Sequence, residues 1–319
     1  MTDRAEAAEL IEPTCPCCRE HGVFAFRTGD RFYAATDVEV DLYRCKVCKS
    51  LFQHPLPNRQ TIAGFYPTGY WGEQRKPSLM SWLQSLYIGI MLRLDPMSWI
   101  RRLKLKRGNS LLDLGCSRGD WLNLIRRKKL EVTGLESDPR AVAYARETYN
   151  LDVEESEVEG WMPTPSRYHA ISAFHLMEHL PEPGVFLTKC RTSLKTNGLL
   201  LLRVPNVASW QAQQLGQRWK GLEMPRHLIM FNPESLVGLL RAYGFAPVNI
   251  STWSLRDGPA TGASSLFPVG EPTRQQILGK SRPFATLLYL GLTGLIAPIE
   301  FLSSMFGRGA IITVIARKL

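Results

Sequence analysis

The sequence predicts an α/β fold built on an open, mostly parallel sheet of seven strands, with a small metal-binding module ahead of it. Three observations carry the prediction. Ser110 to Asp120 reads S-L-L-D-L-G-C-S-R-G-D, an apolar run of the kind a buried parallel strand shows, then two glycines for a tight turn, then a helix. Six further apolar runs follow: Val132 to Ser137, Leu151 to Glu155, Tyr168 to Phe174, Leu199 to Val204, Ala246 to Trp253 and Ala310 to Ala316. Near the N-terminus, four of the seven cysteines form two C-x-x-C pairs.

The 319 residues, 45% hydrophobic with a net charge of +10, describe a globular chain large enough for one main domain and a small one. The opening M-T-D-R-A-E-A-A-E-L is polar and acidic, so no signal peptide is expected and the cytoplasm is the default location. Positive charge clusters at Arg101, Arg102, Lys104, Lys106 and Arg107, and again from Arg126 to Lys129. Both clusters follow apolar or amphipathic stretches, which suits the inner face of an anionic membrane at least as well as RNA.

Residues 1–60 read as the metal module. Two residues between cysteines let both sulfurs reach one ion, so Cys15, Cys18, Cys45 and Cys48 are the candidate ligands of a structural Zn2+, with Cys17 left free. The stretches Val23 to Phe26, Arg31 to Ala34 and Val38 to Tyr43 are the expected strands of a zinc ribbon. Residues 61–108 form a connecting segment. Its aromatics Tyr66, Tyr70 and Trp71 are candidates to cover a pocket, Tyr70 against substrate. From Leu79 to Leu105 apolar residues recur at helical spacing, broken at Asp95-Pro96, with Trp82 and Trp99 near its ends.

The loop after the first sheet strand points to a cofactor. A dinucleotide fingerprint would space its glycines G-x-G-x-x-G, whereas here they stand as G-C-S-R-G behind the carboxylate of Asp113. A carboxylate suits a ligand carrying an amino group and a sulfonium and would repel a phosphate. The stretch resembles motif I of the class I S-adenosylmethionine-dependent methyltransferases, with Ser117 in place of the middle glycine. If that position needs positive φ, serine costs ~1 kcal/mol there. One βαβ unit on, Glu136 ends the second strand, where an acidic residue grips a ribose diol. Asp138-Pro139 then supplies a cap and an N1 proline for the next helix. The resemblance implies a Rossmann-like methyltransferase sheet, the last strand antiparallel, and cofactor contacts from Asp113, Gly115, Cys116, Gly119, Glu136, Ser137, Glu157 and Phe174.

After the fourth strand comes A-F-H-L-M-E-H-L-P-E-P-G, which resembles the F-H-V-L-E-H-L-x-D-P signature of small-molecule and sugar methyltransferases. Ligands bind beyond the carboxyl ends of such strands, so His179 is the first candidate for catalytic base, His175 the second, and Glu178 a substrate contact. After the fifth strand, R-W-K-G-L-E-M-P-R-H-L-I-M-F puts Arg226 and His227 forward as substrate residues. No N/D-P-P-Y-like turn follows the fourth strand, which argues against base N-methylation. Together with Y-R-C-K-V-C-K and F-Y-P-T-G-Y-W, these segments resemble bacterial methyltransferases that carry an N-terminal zinc ribbon, many of them in surface-polysaccharide and modified-sugar pathways.

The catalytic domain is thus expected over residues 109–253 and 307–319, interrupted by an insertion at 254–306. Phe284 to Phe306 is nearly all apolar, but Pro298 and Glu300 shorten its uncharged run below the ~20 residues a span requires. A monotopic or re-entrant membrane contact is the expectation. The reading is an S-adenosylmethionine-dependent methyltransferase acting on a hydroxyl of a glycan or lipid-linked sugar, with no nucleic-acid partner. A lipid or quinone hydroxyl, or a sugar carbon, is the alternative acceptor; an RNA methyltransferase and a non-catalytic cofactor-binding regulator are the remaining rivals.

Overall fold

The computed structural model describes residues 12–66, 89–91, 93–280 and 282–319. Tyr70, Trp71 and Trp82 lie outside these residues.

The chain opens with strands β1 (Gly22–Thr28), β2 (Val40–Cys45) and β3 (Leu51–Gln53), joined antiparallel. Arg31 to Ala34, expected as a strand, is a turn in which Asp30 accepts hydrogen bonds from the backbone of Tyr33 and Ala35. An Asp that bonds the backbone two to five residues on offers it an alternative to a sheet ladder.

Helix α1 (Arg59–Gly64) and helix α2 (Pro96–Leu103) lead into the main sheet. Its strands are β4 (Ser110–Leu114), β5 (Glu131–Glu136), β6 (Asp152–Glu155), β7 (Tyr168–Phe174) and β8 (Leu194–Pro205), all parallel. Helices α3 (Asp120–Arg126), α4 (Pro139–Tyr149) and α5 (Pro183–Ser193) form their crossovers. Asp138 caps α4 by accepting from Arg140 N, with Pro139 at its first position, as the sequence predicts.

Beyond β8 the chain makes helix α6 (Trp210–Leu215) and returns to the N-terminal module. There Ile229–Met230, strand β9, pairs with β3 and closes a four-stranded sheet ordered β1-β2-β3-β9. Gln53 Nε2 donates to the carbonyls of Pro225 and His227, and Asn232 Nδ2 to that of Cys48. Cys15, Cys17 and Cys45 are buried in the same core as Leu200, Phe231 and Leu240.

Helix α7 (Pro233–Ala242), strand β10 (Phe245–Ser251) and strand β11 (Ile311–Lys318) complete the seven-stranded sheet, ordered β10-β11-β8-β7-β4-β5-β6. β11 runs antiparallel between β8 and β10, as the resemblance implies.

The insertion folds as helices α8 (Asp257–Leu266), α9 (Pro272–Ile277) and α10 (Pro283–Met305). Helix α10 runs unbroken for 23 residues through Pro298 and Glu300, so the apolar segment is long enough to cross a bilayer and the expected length limit does not hold. Its attachment is what opposes a span. Tyr289, Ile296 and Glu300 are buried along one stripe, Glu300 accepts from Gln211 Nε2 and Ala310 N, and β11 begins six residues after the helix ends. Much of the rest of the circumference is exposed, including Phe284, Leu287, Leu295, Leu302 and Phe306.

Candidate active site

The loop that follows β4 is held in left-handed backbone at three positions: Gly115 (φ 72°), Ser117 (φ 49°) and Gly119 (φ 76°). Ser117 therefore occupies the conformation a glycine would take more easily. A Cβ at Gly119 would stand 2.5 Å from Leu151 Cδ1, so space as well as φ demands glycine there. Glu136 braces the loop: one carboxylate oxygen accepts from Ser117 N at 2.8 Å, the other from Ser137 N at 2.8 Å and Asp138 N at 2.9 Å.

These residues open onto a cavity of about 810 Å3. Gly115, Glu136, Ser137, Glu157 and Phe174 line its cofactor side, with His175, His179 and His227 further along. Such a volume holds a nucleoside-sized ligand with room for a second molecule. The opposite walls come from elsewhere in the chain: Tyr33 and Tyr66 from the N-terminal part, and Arg256, Thr261, Glu271 and Tyr289 from the insertion. The donor set fits an adenosine-bearing cofactor, since Glu136 offers acceptor oxygens to a diol beside a loop whose glycines leave room for close approach.

Several residues singled out from sequence stand off the cavity. Asp113 is buried beneath the loop and accepts from Ser172 Oγ at 2.6 Å; burial, only partly offset by that bond, raises its carboxyl to about 7. Cys116 packs in the core, its sulfur facing Gly134. Arg226, expected to grip a substrate anion, is fully buried: its terminal nitrogens donate to both oxygens of Asp30 and to Phe65 O. It is an internal tie between the N-terminal module and the catalytic half, because a buried guanidinium must be paired. Glu178 is also fully buried, off the cavity wall.

The three histidines differ in their surroundings. His175 adopts φ 53° and sits between two carboxylates, Nδ1 3.4 Å from Glu178 Oε1 and Nε2 3.5 Å from Asp257 Oδ2. Burial alone would lower its pKa, but Asp257 and Glu178 together push it up to about 9, so at neutral pH the ring carries a charge and is a weak base. His227 is buried beside His179, which with desolvation takes it down to about 3 and keeps it neutral. His179 Nδ1 lies 3.1 Å from both Arg226 O and Tyr66 Oη.

Asp257, Arg203 and Asp95 belong to the site's frame and were missed in the sequence. Arg203 donates to Asp95 Oδ1 at 2.7 Å, Asp257 Oδ2 at 2.9 Å and Thr313 Oγ1 at 3.1 Å, joining α2, the insertion and the sheet. Nothing in local spacing signals contacts between residues so far apart in sequence. Only the place of this Arg within the continuous apolar run of β8, buried from Leu200 to Pro205, could have raised the question.

In the N-terminal module the sulfurs of Cys15, Cys18, Cys45 and Cys48 lie within 4.8 Å of one another, with Cys15 to Cys48 at 3.6 Å and Cys18 to Cys45 at 3.4 Å. Four thiols this close, unjoined by disulfides, match a tetrahedral thiolate site. Cys17 is not among them; its backbone N–H donates to Cys15 Sγ.

Comparison with known proteins agrees with this geometry. A ubiquinone biosynthesis O-methyltransferase of Cereibacter sphaeroides is 26% identical over 171 residues, 47% of this chain and 69% of that protein. Its counterpart from a second strain matches over 62% of its length, and one from Ralstonia nicotianae is 24% identical over 55% of this chain and 76% of its own. Among solved structures, a putative sarcosine dimethylglycine methyltransferase from Galdieria sulphuraria superposes with a TM-score of 0.51 at 16% identity, covering 73% of this chain and 86% of that one, a likeness of fold. The methyltransferase-domain family matches residues 91–250, half of the chain and nearly all of the parallel sheet with its cofactor loop. The chain belongs to that family and is an S-adenosylmethionine-dependent methyltransferase.

Proposed function

We propose that the enzyme methylates a hydroxyl of a membrane-lodged small molecule, with a quinone-type phenol as the leading acceptor class. The observation that carries this reading is the make-up of the cavity: the cofactor loop forms one wall, the insertion the other, and Tyr289 of the outward-apolar helix α10 reaches into it. An acceptor with an apolar tail would lie along that helix while its head enters the cavity. The ubiquinone O-methyltransferases among its relatives support a hydroxyl acceptor. The Cys15, Cys18, Cys45 and Cys48 site would hold structural Zn2+.

Bound S-adenosylmethionine supplies a methyl group activated by its sulfonium. The chain's own residues do the rest. Glu136 would hold the ribose, Ser137 and Glu157 the adenine side, and Phe174 an apolar surface beneath them. Removal of the hydroxyl proton depends on His179, with neutral His227 beside it. His175, in the cavity lining, is positively charged at neutral pH.

A lipid-linked sugar is the second reading. It is favoured by the polar groups on the insertion wall, Arg256, Thr261, Glu271 and Thr273, which a sugar head would use.

The test is turnover in anionic vesicles carrying either a polyprenylated catechol or a polyprenyl-linked sugar. Methyl transfer to the catechol is the expected result, and transfer to the sugar alone would select the second reading. Transfer to neither, by protein that binds S-adenosylhomocysteine, would overturn the membrane-hydroxyl assignment.

A further inference from the structure

A second pocket, of about 420 Å3, opens where three separate parts of the chain meet. The turn after β1 supplies one wall, the loop beyond α6 another, and the insertion the third, through Ser264, Ser265 and Pro268. It shares Lys220, Glu223 and Ser264 with the reaction cavity, so the two are neighbours across one wall. Ser264 Oγ lies 3.3 Å from Tyr289 Oη, on the outward-apolar helix α10.

The charges of this pocket call for an anion. Of its lining carboxylates, Asp30 is held by the terminal nitrogens of Arg226 and Glu223 by Lys220. Arg31 and Arg218, both exposed, have no carboxylate partner among the described residues. Arg31 is already oriented: its Nε donates to the buried Thr28 Oγ1 at 3.1 Å, which leaves the two terminal nitrogens, a fork that fits a phosphate. Trp219, 2% exposed, adds an indole Nε1–H that finds no acceptor among the described residues. A buried donor left unpaired is rare in a folded protein and calls for an acceptor from outside the chain. Phe32, Leu222, Met224 and the Trp219 ring make the remaining wall apolar, so the pocket suits an anion carried on an organic body better than a free inorganic ion.

We propose that this pocket binds the phosphate of a phosphorylated lipid, with Arg31 and Arg218 as its charge partners and Trp219 as a neutral donor. The site itself stands on the residues above. Its bearing on catalysis rests on the reading of the neighbouring cavity as one that methylates a membrane-lodged hydroxyl. A lipid-linked sugar would carry the phosphate itself, close to the hydroxyl to be methylated. A quinone carries none, and a phospholipid of the surrounding membrane would then fill the pocket and hold the enzyme to the bilayer beside α10.

Short-chain probes separate the two sources in solution. Geranyl phosphate stands for a polyprenyl phosphate and dihexanoyl phosphatidic acid for a membrane lipid, with inorganic phosphate as the control, each titrated calorimetrically into the full chain supplied with Zn2+. Stoichiometric binding of at least one of the two esters is expected, weakened roughly tenfold in Arg31→Gln and in Arg218→Gln and further in the double variant, since each change removes a charged hydrogen-bond partner. Tighter binding of geranyl phosphate assigns the pocket to the acceptor, and tighter binding of phosphatidic acid assigns it to the membrane. Binding of neither ester, inorganic phosphate held as tightly as the esters, or ester binding unchanged in the double variant would overturn the proposal. Titration with S-adenosylhomocysteine should read the same in these variants as in the wild type, which shows that they are folded. The probes bind without methyl transfer, so this experiment can fail while the vesicle turnover succeeds, and the reverse.

Discussion

Asp113 shows how a residue's neighbours reassign it. Its place before the glycine turn suggested direct contact with the cofactor, yet it lies under the loop with Ser172 as its partner. The folded protein binds a proton there more tightly than the unfolded chain does, so the contribution of this group to stability is greatest below the ordinary carboxylate range and falls as pH rises towards about 7. Asp113→Asn should flatten that decline, visible as a thermal midpoint that changes less between acid and neutral pH than in the wild type. His175 follows the same sign at higher pH. Its raised pKa means that the charge it shares with Glu178 and Asp257 contributes below the ordinary histidine range and is lost as pH climbs through about 9. Glu136 and the strained Ser117 were legible because strand, loop and offset are local in sequence. Arg226 was legible only as a cation, since its partner Asp30 is 196 residues away.

Among the elements, α10 is the one whose composition its own packing does not explain. Tyr289, Ile296 and Glu300 are buried along one stripe, with Leu292 and Phe301 packed beside it, while large exposed apolar side chains cover much of the remainder. Exposed apolar surface on that scale marks an interaction face. Substituting Leu287→Ser together with Leu295→Ser, both well exposed, should leave the thermal midpoint unchanged and weaken co-flotation with anionic vesicles at least roughly tenfold, given the cost of withdrawing two leucines from an apolar phase. Unchanged flotation would assign the face to another partner. The apolar run was plain in the sequence. That the helix continues through Pro298 and Glu300 was not, because Glu300 is satisfied by Gln211 and Ala310, contacts made only once β11 is in place.

At the scale of the whole molecule, the N-terminal module and the catalytic sheet share a strand and a buried ion pair. β9 is cut from the catalytic half and laid against β3, and the buried Arg226–Asp30 pair crosses the same boundary. Removing with a chelator the Zn2+ proposed at the four thiols should therefore lower the midpoint of one shared transition by roughly 10 °C or more instead of unfolding the module alone, as calorimetry would record. The order of parallel strands was readable from apolar spacing. The second sheet was not, because two residues in a loop carry no periodicity. That borrowed strand also has a meaning in time. As the chain leaves the ribosome, Leu51 to Gln53 present an unmatched edge until Ile229 and Met230 have been made, roughly 10 to 35 s later at ordinary rates of synthesis. A nascent chain with an open strand edge is vulnerable to pairing with its neighbours, so the enzyme's yield in a cell would depend on how fast translation proceeds through the catalytic half.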